Sequence, residues 1–147
     1  MAIETLLPAV VDGIEVGRGE NGQESVVTYI RGKQTTINAL IIDPATFLGQ
    51  GLTGDTVILN VYEDYRKRTE AEGGPAQVGG SDDGVLATVT AAASTSAVAV
   101  FTIADTDTNF NNLLVRPNVN YFCQIRVTDS GDSNRLKYTK GFELKVI

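Results

Sequence analysis

Asp105-Thr-Asp-Thr-Asn109 has the oxygen-ligand spacing that opens a calcium loop. The sixth position of such a loop calls for Gly and the twelfth for Glu; here they are Phe110 and Arg116, so the pattern stops after its first half. Short polar side chains capping a turn after a strand are the favoured reading. Asp82-Asp83 and the pair Asp129 and Asp132 read as turn formers in the same way. Arg66-Lys-Arg68 could hold a phosphate, yet Glu63, Asp64, Glu70 and Glu72 surround it and argue for a mixed-charge loop instead. The glycines between 17 and 22 do not lead from a strand into a helix, so they make no dinucleotide fingerprint. Cys123 falls on the apolar side of a strand and reads as a small buried hydrophobe. There is no His and only one Cys, which excludes Ser-His and Cys-His nucleophiles, a structural zinc site and a disulfide. No metal or cofactor is expected. Carboxylate or Lys catalysis stays formally open with nothing pointing to it, and the chain reads as a non-enzyme.

The bulk properties are those of one soluble globular domain. The chain has 147 residues, 42% hydrophobic and 20% charged, enough to bury a real core. A net charge of −6 opposes binding to nucleic acid or an anionic membrane. No apolar run approaches a membrane span, and Met1–Pro8, with Glu4 inside it and no basic start, is a poor signal peptide.

Which elements would carry these residues? From residue 26 onward short alternating segments recur between turn signals, the pattern of an all-β protein. Strands are expected at Val26–Arg31 and Gln34–Asp43 about a Gly32-Lys33 turn, and at Asp55–Glu63, with Val57, Leu59 and Val61 inward and Asn60 and Tyr62 outward. Leu86–Ala92 and Ala97–Ala104 are expected as a hairpin about Ser94-Thr-Ser, with Phe101 and Ile103 inward. Tyr121–Asp129 follows, and Arg135–Ile147 closes the chain, with Phe142 inward after a bulge or bend at Gly141. Tyr121 two residues before Cys123 matches the tyrosine corner of an immunoglobulin-like sandwich, here without its Trp or its disulfide. About seven strands suit that fold, with Tyr121, Cys123, Phe101 and Phe142 as its structural residues.

Three segments break the rhythm. Residues 64–84 make a long insert, and residues 105–118 a short helical turn whose Leu113-Leu114 plugs one end. Residues 1–25 are expected as an N-terminal arm or a hairpin about Asp12-Gly13, leaving 26–147 as the sandwich. Ile3, Leu6, Leu7, Val10, Val11 and Ile14 would then be contact residues for a partner, as would Tyr65, Arg66 and Arg68 on the insert. The alternative is that Val10–Val16 adds a strand to the domain's own sheet.

Val27–Asp43 and Leu52–Tyr62, with Asp43 and Leu52-Thr53-Gly54 at the joints, and then Leu114, Tyr121 and Phe142 within 97–147, resemble the N-terminal module of tailed-phage baseplate upper proteins and related virion β-domains. Asn120 stands where that module has Gly before its Tyr, and the 64–84 insert is a further departure. The resemblance implies a non-enzymatic virion structural protein, and a stand-alone sandwich with an N-terminal arm points foremost to a capsid decoration or cement subunit. It would be assembled in the host cytoplasm, contact the major capsid protein, and form a homo-oligomer such as a trimer. A baseplate or tail-fibre attachment subunit is the alternative. A carbohydrate- or receptor-binding sandwich comes third, since the chain has no Trp and few aromatics to spare for its surface.

Overall fold

The computed structural model describes residues 3–65, 84–129, 131 and 135–147. The protein is all-β. Its strands are β1 (Ile3–Leu7), β2 (Ala9–Val11), β3 (Ile14–Glu15), β4 (Val26–Tyr29), β5 (Thr35–Ile41), β6 (Thr56–Tyr62), β7 (Val85–Thr90), β8 (Val98–Ile103), β9 (Tyr121–Thr128), β10 (Arg135–Thr139) and β11 (Phe142–Val146). One short helix, α1 (Thr108–Asn111), lies between β8 and β9.

The strands form two sheets packed into a sandwich. In the smaller the order is β3-β2-β5-β8. In the larger, β9 is central, with β6 and then β7 on one side. Its other side is shared: Arg126 to Thr128 pair with β10, and Tyr121 to Cys123 pair with β11. Beyond these, β1 runs parallel to β10 and β4 parallel to β11. In immunoglobulin terms β2, β5 and β8 stand as strands A, B and E, while β7, β6, β9 and the β10–β11 pair stand as C′, C, F and G.

Alternation builds the interior. Ile37, Ala39 and Ile41 of β5, with Phe101 and Ile103 of β8 beside them, face Val57, Leu59 and Val61 of β6, Cys123, Ile125 and Val127 of β9, and Phe142 and Leu144 of β11; all are buried. Where β9 passes from β10 to β11 the ladder breaks, and Thr139 mends it. Its fully buried Oγ1 accepts from the Ile125 amide at 3.2 Å, and its carbonyl accepts from Gln124 Nε2 at 2.9 Å. The bend expected at Gly141 is the same break; a Cβ there would sit 2.1 Å from the Phe122 ring.

Several expectations are corrected. Residues 1–25 are not an arm over their described length. Pro8, which cannot donate to a ladder, separates β1 in the large sheet from β2 in the small one, and Leu7, Ala9, Val11 and Val16 are core residues. The hairpin about Asp12-Gly13 is present, with φ of 48° and 82°. Asp12 also bonds to Asn38 of β5 through both its amide and its carboxylate. The segments at Leu86–Ala92 and Ala97–Ala104 do not form a hairpin. β7 joins the large sheet and β8 the small one, so 91–97 crosses between layers, and one backbone bond, Ala92 to Val100, spans them. Asn60 and Tyr62 point away from the core as expected, yet both are buried, as are Phe122, Gln124 and Arg126 beside them. That outer face carries its own aromatic cluster, with Phe122 6.2 Å from Tyr62 and 5.5 Å from Tyr65.

Candidate functional site

The tyrosine corner organises one end of the sandwich. Tyr121, 3% exposed, accepts a hydrogen bond from the Leu114 amide at 2.6 Å and donates one to the Leu114 carbonyl at 3.1 Å. This clamps 112–116 across the start of β9. The Arg116 guanidinium lies over the same ring, 5.1 Å from its centroid, and reaches Glu63 at 3.8 Å.

α1 is set by its own sequence. Asp107 caps it, accepting from the Phe110 amide at 2.9 Å, while Phe110 is fully buried and meets Tyr29 edge-on at 5.4 Å. Asn111 binds the Tyr29 hydroxyl and the Gly32 amide through Oδ1 and donates to the Asp105 carbonyl, tying the β4–β5 turn to the β8–β9 crossing. Burial, with Asp107 nearby, raises the Tyr29 pKa above the usual phenol value, opposed by Arg31.

Between α1, β7 and the clamped segment runs a cleft of about 300 Å³, lined by Leu86, Asn109, Asn112, Leu113, Leu114, Arg116 and Tyr121. A shallower hollow of about 200 Å³ extends it along β7, between Val85–Thr88 and Asn109. Leu86 and Leu114 are exposed on its walls, while Leu113 is buried; only one of the two leucines plugs the end. The cleft offers apolar surface, two amide side chains and one guanidinium. Arg116 was visible in the sequence only as the residue that spoils a calcium loop.

The anticipated contact residues are dispersed. Leu7 and Val11 belong to the core, Val10 and Ile14 are half-buried, Leu6 is exposed, and Ile3 lies in β1. Tyr65 is exposed with its ring against Phe122, and Arg66 and Arg68 lie outside the described residues, as does nearly all of the 64–84 insert. Tyr121, Cys123, Phe101 and Phe142 are all buried. Burial, with a smaller contribution from Glu143, pushes the Cys123 thiol far above its ordinary pKa. Asp105 and Asp107 serve the turn and cap of α1, and Asp129 accepts from the Gly131 amide and pairs with Lys137 at 3.5 Å. Among the described residues no three carboxylates or thiols gather as a metal site, and no helix is long and apolar enough to cross a membrane.

The other end of the sandwich presents a second apolar feature. In the loop between β5 and β6, Phe47 at φ 58° and Leu48 are 77% and 70% exposed. The loop is held by bonds from Ala45 to the Asp43 carboxylate and from Phe47 to the Asp43 carbonyl.

No family model matches the sequence, and no curated protein does. Solved structures share its fold. Dimeric latent PorU from Porphyromonas gingivalis aligns at a TM-score of 0.54 and 11% identity, over 97% of this chain and 12% of that one. The chain thus spans about an eighth of that much longer protein, and at this identity the likeness is one of fold alone. A chain from a structure of T cell specificity and activation by the bacterial superantigen toxic shock syndrome toxin-1 aligns at 0.42 and 11% identity, over 96% of this chain and 99% of that one, too distant to carry an argument.

Proposed function

We propose that this chain is a non-catalytic structural subunit of a tailed-phage particle, acting as a capsid decoration or cement protein. The observation that carries the reading is the placement of exposed apolar side chains at both ends of a sandwich whose N-terminal strands are committed to its own sheets. Phe47 and Leu48 stand out at one end; Leu86, Leu114, Val115 and Val119 are exposed at the other. Two separate apolar ends suit a subunit that bridges two neighbours. The residues of the phage-module resemblance serve this architecture: Asp43 holds the Phe47 loop, Leu52 is buried beside the left-handed Gly54, Tyr121 clamps Leu114, and Phe142 fills the core. Contacts with capsid proteins, and a homo-oligomer such as a trimer, belong to the same proposal.

The alternative within the particle is a baseplate or tail-fibre attachment subunit. Immunogold labelling with antibody against the purified protein separates the two. Label on the head supports decoration, label on the tail tip moves the protein to the baseplate, and particles without label refute a virion role.

A further inference from the structure

We propose that the outer face of the small sheet, with Phe47 and Leu48 at its end, binds a second copy of this chain, face to face about a two-fold axis. The proposal deepens the reading of Phe47 and Leu48 as contact residues by naming their partner, and it rests on that reading for this one end only. The pair forms without any particle.

Charge singles this face out. Charged residues make up 20% of the chain, yet β2, β5 and β8 contain none. The large sheet carries Arg126 on β9, Lys137 on β10, and Glu143 and Lys145 on β11. A solvated sheet face ordinarily turns polar and charged side chains outward. Here the outward positions of β5 are Thr36, Asn38 and Leu40, and those of β8 are Val98, Val100 and Thr102. Register aligns them across the sheet. Val10, Leu40 and Val98 stand side by side on three strands, then Asn38 beside Val100, then Thr36 beside Thr102. Leu40 and Val98 are 38% and 37% exposed, and Val10 and Val100 are half-buried. The acidic Asp12 and Glu15 stand at the β2–β3 margin, so the centre of the uncharged face falls on β5 and β8.

The loop at the end of the same sheet extends the apolar surface. A bridge between Ile42 and Gly49, with bonds from the Asp43 amide to the Leu48 carbonyl and from the Gln50 amide to the Ile41 carbonyl, folds 43–48 back onto the end of β5. A Cβ on Gly49 would lie 2.6 Å from that of Ala97, so the loop is pressed against the residue that enters β8. Phe47 keeps a left-handed φ of 58°, a conformation that costs free energy in a bulky residue, while its ring stays in water. Strain and exposure together at one residue mark a contact that is made with something outside the fold.

Area and charge choose the occupant. An aromatic residue presents about 200 Å² when fully exposed and aliphatic ones somewhat less, so the exposed parts of Phe47, Leu48, Leu40, Val98 and the Thr and Asn residues beside them amount to about 600 Å². Two copies would then bury about 1,200 Å², the lower bound of a specific interface, which fits a reversible pair. Each copy carries −6, so two copies repel in most approaches, and an uncharged face is where they meet at least electrostatic cost. A two-fold axis sets one patch against itself, and an apolar patch without charge is its own complement. Sheets packed in this way stack about 10 Å apart, the arrangement the chain already uses between its own two layers.

Sedimentation velocity on the purified protein, run from about 1 μM to about 500 μM, reads the pair directly. A reversible monomer–dimer equilibrium is expected, with a Kd of about 10–100 μM that tightens as added salt screens the repulsion between copies. Leu40→Lys, which sets a cation on each side of the contact, should leave a monomer at the highest concentration. Phe47→Ser, at a side chain that lies outside the core, should do the same. Both variants should keep the wild-type melt, and if Leu40→Lys disturbs it, Phe47→Ser decides. Leu114→Lys, exposed at the opposite end of the sandwich, should dimerise like the wild type. A monomer at every concentration overturns the proposal, as does a trimer, a dimer that survives either folded variant, or one that Leu114→Lys disrupts as strongly. Flotation with phosphatidylcholine vesicles in the absence of a dimer, lost in Phe47→Ser, would assign the face to lipid and also overturn it. The virion reading fails separately: particles without label refute it and leave the pair standing, whereas labelled particles with a protein that stays monomeric refute the pair alone.

Discussion

Tyr121→Phe removes one oxygen from the corner that shapes the cleft. That oxygen makes two hydrogen bonds, 2.6 Å from the Leu114 amide and 3.1 Å from its carbonyl, inside a residue only 3% exposed. Each bond of this kind is worth about 0.5–1.5 kcal/mol net. Leu114 itself is 58% exposed, so water can re-bond its backbone once the hydroxyl is gone, which holds the expected loss to about 1–2 kcal/mol. For a chain of this length that corresponds to a drop in Tm of roughly 2–8 °C. The ring survives in Phe, so the stacking of Arg116 and the packing of the core are kept. Equilibrium urea unfolding reads the effect as a lower midpoint at unchanged slope. A midpoint and slope both unchanged would refute the corner as a stabilising device.

Other perturbations follow from the same geometry. Thr139→Val keeps shape but strands the buried Ile125 amide, and should cost about 1–3 kcal/mol by chemical denaturation. Gly141→Ala drives a methyl into the Phe122 ring, and Gly22→Ala places one 2.3 Å from the Gly141 carbonyl at a φ of +79°; each should destabilise by about 1–3 kcal/mol or more, whereas Gly51→Ala, with open space around it, should not. The folded-state pKa of Cys123 is raised, so its contribution is fully present below the unfolded thiol value of about 8.5 and is lost as pH rises above it. Above pH 8.5 stability should fall with a slope that grows toward about 1.4 kcal/mol per pH unit by pH 10, a slope that Cys123→Ala should flatten. A wild-type profile flat over that window would contradict the burial of the thiol.

The sequence showed the inner faces well, because alternation is local. Ile37 to Ile41, Val57 to Val61 and Phe101 to Ile103 announce their strands within a few residues, and Tyr121 with Cys123 announces the corner. Partnership between distant segments was not visible. β1 pairs with β10 at the far end of the chain, and nothing within Ile3–Leu7 distinguishes an arm seeking another subunit from a strand seeking its own. The small residues of 91–97 read equally as a hairpin turn and as a crossing between layers. The cleft was hidden for the same reason. Leu86, Asn109 and Arg116 come from three segments, and each has an ordinary local role in a strand, a turn or a loop. Leu113 and Leu114 read alike as plugs for the end of the sandwich, and only Leu113 is buried there.

Hydrogen exchange on the purified protein, read by NMR or by mass spectrometry of overlapping fragments, tests the central claim most directly. That claim is that Ile3–Glu15 is woven into the two sheets. The account predicts slow exchange at the β2 amides bonded into the small sheet, comparable with β9. Fast exchange throughout residues 3–16 would return the segment to a docking arm.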